Sequence, residues 1–185
     1  MPDWLWIVIA VVAVLIAALV AWGLVVRRRR ERLRDRFGPE YDRAVAERGS
    51  RRAAEAELAS RQEKGERLDI VPLPQESRDR YLGSWQDVQS RFVDEPSESV
   101  AEADRLVTRV MRERGYPMDE FEQRVADVSV DHPQVVQNYR AAHEISVADG
   151  EGTATTEDLR QAFVHYRALF GELLETSDSA DEEVS

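Results

Sequence analysis

The chain has 185 residues, with 25 basic against 36 acidic side chains, a formal net charge of −11 and no cysteine. An acidic balance is repelled by phosphate backbones, so nucleic-acid binding is not expected. Without a thiol there is no disulfide, no thiolate zinc site and no cysteine nucleophile.

Residues 4–26 run without a charge or a proline. As a helix they would measure about 35 Å, against about 30 Å for a hydrocarbon core, which predicts a single N-terminal transmembrane helix. A cleaved signal peptide would carry its positive charge before the apolar stretch, whereas here the arginines follow it. Residues 27–36 hold seven arginines beside two acids, while residues 37–185 hold 18 bases against 33 acids. Basic flanks stay on the cytoplasmic side, so the expected location is the cell inner membrane, single-pass, with residues 1–3 outside. Arg27, Arg28, Arg29, Arg30, Arg32, Arg34 and Arg36 then face the membrane surface, with anionic lipid head groups as partners. Trp4, Trp6 and Trp22 suit interfacial belts. Ala13, Ala17 and Ala21, spaced four apart, form a small-residue stripe of the kind through which two membrane helices meet as a homodimer.

The basic helix is expected to run through Arg36, since no breaker precedes Gly38 and Pro39. Pro39 opens a short helix to Arg48, which Gly49 closes. Ser50 then caps a helix over residues 51–67 made almost wholly of Ala, Glu, Arg and Gln, with Leu58 its one large apolar residue before Leu68. Lacking an apolar face, residues 37–68 are read as a solvated polar arm. Pro72 and Pro74 impose extended backbone on residues 69–74, a linker whose Ile70, Val71 and Leu73 are apolar enough to dock.

The next hundred residues change character. Tyr81, Trp85, Val88 and Phe92 recur at helical spacing in residues 75–93. Pro96 opens a helix that buries Val100, Ala103, Val107, Val110 and Met111, ended by Gly115 and Pro117. Asp119 with Glu122 predicts a capped short helix carrying Phe121 and Val125. After the His132-Pro133 turn comes a helix with Val136, Tyr139 and His143 on one stripe, then a loop at residues 149–152. Thr155 and Asp158 form a capping box for a last helix with Leu159, Phe163, Tyr166 and Phe170 as its core face. Residues 175–185 hold five acids and no base, which reads as a disordered acidic tail. The predicted fold class is therefore all-α: transmembrane helix (4–26), basic juxtamembrane helix (27–36), polar arm (37–68), proline linker (69–74), a small antiparallel bundle (75–174) and the tail.

Chemistry is sparse. His132 precedes a proline and is most simply a cap. His143 and His165 lie on or beside apolar stripes, where they would be the residues of a metal- or ligand-binding bundle or enzyme. The repeated Glu-x-x-His pairs of di-metal bundles are absent, as are the phosphate-loop and serine-hydrolase motifs. No catalytic, cofactor or metal residue is assigned and no cofactor is expected. The expected function is a membrane-anchored, non-enzymatic interaction or scaffold module with a protein partner that the sequence does not name.

The stretches RFGPEYDRAV, RRAAEAELA, RGYPMDEFEQRVADVSVDHPQVVQNYRAAHEI and TEDLRQAFVHYRALFGELL resemble a family of uncharacterised bacterial single-span membrane proteins. A bacterial source also suits the composition, in which Lys64 is the only lysine beside abundant Arg, Ala and Val. The resemblance implies a cytoplasmic helical domain and carries over no catalytic residue.

Overall fold

The computed structural model describes the backbone of residues 4–175 and the side chains of residues 15–175. Among the described residues there are eight helices and no strand: α1 Trp4–Phe37, α2 Pro39–Arg48, α3 Arg51–Gly65, α4 Gln75–Arg91, α5 Pro96–Glu113, α6 Phe121–Asp131, α7 Val136–Gly150 and α8 Thr156–Glu175. The all-α expectation therefore holds, and most ends fall where local chemistry puts them. Pro39 and Pro96 open α2 and α5, where a missing N–H costs nothing. Gly49 closes α2 in the left-handed region at φ 65°. Ser50 Oγ accepts from the Ala53 N–H, and at α8 the Thr155 and Asp158 side chains each take the other's backbone N–H.

Two ends differ from expectation. The helix expected at Asp119 starts at Phe121 without a side-chain cap, and the Asp119 carbonyl accepts from Arg124 Nη1 at 2.6 Å. The loop expected at residues 149–152 begins later, since α7 continues through Gly150.

The transmembrane expectation is corrected. Among the described residues no helix is long and apolar enough to cross a membrane. The apolar part of α1 with described side chains covers residues 15–26. Its Leu19 and Trp22 are exposed, and no described residue covers them. Residues 1–3 and the side chains of residues 4–14, including Trp4, Trp6 and Ala13, lie outside the described residues, as do residues 176–185 of the expected tail.

The main core is built by α4 to α8. α8 packs on both α5 and α7, and α4 on α5. The short links at residues 92–95 and 151–155 make those neighbours antiparallel. Trp85 stacks on Phe170 (centroids 4.7 Å) and Phe163 (5.0 Å), while Tyr139 and Tyr166 are fully buried. The Tyr166 hydroxyl donates to Asp104 at 2.9 Å, which satisfies the polar end of a ring otherwise buried for its apolar area. The proline linker is docked as expected. Leu73 is buried in this core, and Val71 N donates to Arg114 O at 2.9 Å. Gly115 is required beneath it on two counts: φ is +96°, and a Cβ would stand 2.5 Å from the Asp69 carbonyl oxygen.

The polar arm is not a solvated spacer. Leu33 and Phe37 of α1, Tyr41 and Ala44 of α2, and Ala54 and Leu58 of α3 form a second buried cluster, closed by Val130 of α6. Leu58 and Ala54 are fully buried. The one large apolar side chain of α3 sits beside a run of alanines, so neighbouring helices approach closely and a narrow apolar stripe suffices. Gly65 makes the same contact with α6, where Val130 Cγ1 would lie 2.8 Å from an added Cβ.

Charge completes this docking. Glu40, 1% exposed, accepts from Gln137 Nε2 and lies 3.5 Å from Arg140 Nε and 3.6 Å from Arg61 Nη1. Arg140 Nη1 also donates to Glu122 at 2.7 Å, and Lys64 Nζ sits 3.0 Å from Asp127 Oδ1. The hairpin of α2 and α3 is thus held on the bundle by buried ion pairs around one apolar contact.

Candidate functional site

An open groove runs between α4 and α8, about 400 Å³ in volume. Its floor is the outer edge of the main core: Trp85 from α4, and Phe170 and Leu174 from α8. Leu82, one turn before Gln86 on the same face of α4, is 43% exposed and continues the apolar surface to the rim. The groove is open over Gly171, because nothing lies within 4 Å of the position a Cβ would take. Arg78 stands at one end beside Leu174 and Glu175, and Arg167 is exposed at the other. Apolar Leu82 with exposed Arg167 along the same groove is suited to a segment that brings apolar anchors and carboxylates. The sequence carried one signal of it. Leu82 is apolar but lies one residue off the stripe of Tyr81, Trp85 and Val88, so it widens the apolar face beyond what the core needs.

A second polar feature lies where α6 turns into α7. His132 is the C-cap of α6, with its N–H donating to Val128 O at 2.8 Å, and not the cap expected for the following helix, which starts after Val135 without a side-chain cap. Its ring is also buried, with Nδ1 3.3 Å from Glu172 Oε1 of α8. A carboxylate only accepts, so Nδ1 carries the hydrogen and Nε2 is left as an acceptor. Nε2 is buried without a partner among the described residues. Burial pushes the imidazole pKa down; Glu172 opposes this and Arg114 adds to it. A cleft of about 510 Å³ borders the ring, lined also by Arg36, Arg114 and Asp131. The neighbours have structural duties. Arg114 Nη1 donates to Leu173 O at 2.8 Å near the end of α8, and Tyr116 donates to Asp131 at 3.0 Å.

His143 and His165 do not form a site. The His143 ring stacks on Phe121 with centroids 3.6 Å apart, and burial lowers its pKa. His165 Nδ1 pairs with Asn138 Oδ1 at 3.0 Å. Helical spacing placed both on the right faces but could not say which ring each would meet. No group of three His, Asp or Glu side chains among the described residues could hold a metal.

The seven arginines from Arg27 to Arg36 are exposed along α1, and several are tied into the fold. Arg27 pairs with Glu31 at 2.9 Å, Arg30 with Glu55 at 2.8 Å and Arg34 with Asp42 at 3.8 Å. A cleft of about 760 Å³ between α1 and α3 opposes Arg29, Arg32 and Arg36 to Asp35, Glu63 and Glu66. Those charges balance, so the cleft shows no preference for either sign. Ala17 and Ala21 are exposed and meet no described helix, and the expected single-pass placement with its outside N-terminus loses its basis with the span.

The fold and groove define a small all-α bundle with a docked helical hairpin. Comparison with family models, curated proteins and solved structures finds no match, so function is read from the geometry.

Proposed function

We infer that the protein is a non-enzymatic helical interaction module whose groove between α4 and α8 receives an acidic peptide segment with apolar anchors. The observation that carries this reading is the groove itself, in which Leu82 is half-exposed over the buried edge of Trp85, Phe170 and Leu174 and Arg167 is exposed at one end. A helix or extended segment laid there covers Leu82 for affinity and pairs a carboxylate with Arg167 for orientation. The test is fluorescence anisotropy of the full chain with a labelled peptide of alternating Leu and Glu, compared with Ala–Glu and Leu–Lys versions. Leu82→Glu and Arg167→Glu should each weaken the Leu–Glu peptide by about tenfold or more, equivalent to about 1.4 kcal/mol. Equal binding of all three peptides, or no loss in either variant, refutes the reading.

A further inference from the structure

We propose that the cleft where the end of α1, the proline linker and the α6–α7 turn meet binds a phosphate group that still carries a proton, held between His132 Nε2 and Arg36. This cleft shares no lining residue with the groove between α4 and α8, so neither site depends on the other.

The acceptor comes first. His132 is 1% exposed, and its ring contributes to the wall of the cleft. Nδ1 is committed to Glu172 of α8, which does not line the cleft. The neutral ring therefore offers a lone pair at Nε2, and that atom has no hydrogen-bond partner among the described residues. A buried acceptor is costly to leave unmet, so the site rewards a ligand that brings a donor. Nε2 lies beneath the cleft surface, and the wall yields slightly as the donor reaches it. A metal is a poor match, because no group of three ligating side chains converges there among the described residues.

Charge decides what else the ligand carries. Arg36, in the last turn of α1, lines the same cleft, is exposed, and has no hydrogen-bond or ion-pair partner among the described residues. Arg114 adds positive charge while its own N–H groups serve Leu173 O and Val71 O. Asp131 is the one carboxylate of the lining, and it accepts from the Tyr116 hydroxyl. Two guanidiniums against one carboxylate leave a net positive lining, which suits a monoanion. The guanidinium fork of Arg36 matches the geometry of phosphate oxygens. A phosphate monoanion meets both demands at once: its P–OH donates to Nε2 and its ionised oxygens accept from Arg36. Ile70, Val130 and Pro133 supply an apolar wall, and about 510 Å³ leaves room for an ester substituent. Free phosphate and a phosphate monoester share this chemistry.

Isothermal titration calorimetry of the full chain at pH 6.5 and fixed ionic strength tests the site, with inorganic phosphate, sulfate and phenyl phosphate as probes. At that pH phosphate keeps a proton, a monoester with a second pKa of about 6 keeps one in part, and sulfate has none to give. Phosphate should bind at least tenfold tighter than sulfate. Arg36→Gln should weaken phosphate by at least tenfold, and His132→Leu should bring it down to the level of sulfate. Equal binding of phosphate and sulfate overturns the proposal, as does phosphate binding indifferent to Arg36→Gln or to a folded His132→Leu chain. The anion comparison uses the unaltered chain and Arg36 is exposed, so the outcome stands even if His132→Leu does not fold. Phenyl phosphate binding tighter than phosphate makes a monoester the ligand, and weaker binding makes it free phosphate. The absence of binding by either through the millimolar range overturns the site.

Discussion

Replacing Gly65 by alanine tests the docking of the hairpin on the bundle through a single atom. The new Cβ would stand 2.8 Å from Val130 Cγ1 and 3.3 Å from its Cβ and Cγ2, where carbon atoms prefer about 3.5–4.0 Å. Val130 is β-branched and helical, so its χ1 is held in one well and the methyl cannot swing aside. Relief must come from a backbone shift between α3 and α6, an overpacking cost of about 1–3 kcal/mol. Alanine also gains up to about 1 kcal/mol over glycine in helix propensity. Gly83→Ala isolates that gain, since Gly83 lies within α4 with nothing inside 4 Å of an added Cβ. The difference between the two substitutions, read from urea unfolding midpoints at constant m, should therefore be about 1–3 kcal/mol, with Gly83→Ala stabilising. Val130→Ala should recover much of the loss in the Gly65→Ala background, giving a coupling of at least about 0.5 kcal/mol. If Gly65→Ala stabilises as much as Gly83→Ala, or shows no coupling to Val130, the hairpin does not rest on α6 as described.

Leu58→Ala should cost about 2–5 kcal/mol and Trp85→Ala about 3–5 kcal/mol by the same assay, because both side chains are buried in packed clusters. A loss below about 1 kcal/mol at Leu58 would restore the solvated arm. Glu40→Ala should destabilise by about 1–3 kcal/mol, the scale of leaving buried donors unmet. The figure falls short of the about 3–5 kcal/mol for a broken buried pair because Arg140 keeps Glu122 and Arg61 keeps Glu57; a neutral result would show that the ion pairs do not hold the hairpin. His132 is held neutral in the fold with its pKa below the ordinary 6.5, so as pH falls past that value the unfolded chain takes a proton that the folded one refuses. Stability should thus decline between pH 7.5 and 5.5, with His143 contributing in the same direction. His132→Gln, facing the same Glu172, Asp131 and Arg114, should flatten the decline, and an unchanged slope in that variant would refute the assignment.

Helix ends were legible because their causes are local: a proline at a first turn, a glycine at positive φ, a threonine and an aspartate three residues apart. The main core was legible because Trp85, Phe163, Tyr166 and Phe170 repeat at helical spacing, and burying such rings dominates the alternatives. The reading of α3 failed for the opposite reason. With Leu58 alone among alanines and charges, its hydrophobic signal was too weak to show a face, and the partners that bury it, Phe37 and Tyr41, belong to other helices. Val130 lies farther still, beyond the whole linker and two helices of the bundle.

The candidate sites divide in the same way. The chain order alone placed His132 at a helix end, and it put Leu82 and Arg78 on α4 and Arg167 on α8. Only the packing of α8 against α4 and α5 turned them into a groove, and only the meeting of α8 with the α6–α7 turn set Glu172 against His132. Glu40 is the clearest instance, since nothing near it in sequence makes a buried carboxylate tenable; Gln137, 97 positions away, and Arg140 do. Sequence by itself therefore determined which residues are helical and which rings of α4, α7 and α8 are buried, because backbone sterics and hydrophobic periodicity act within a few residues. Tertiary structure decided which polar groups are buried and what each faces, because the desolvation of a charge is tolerated only where distant partners converge on it.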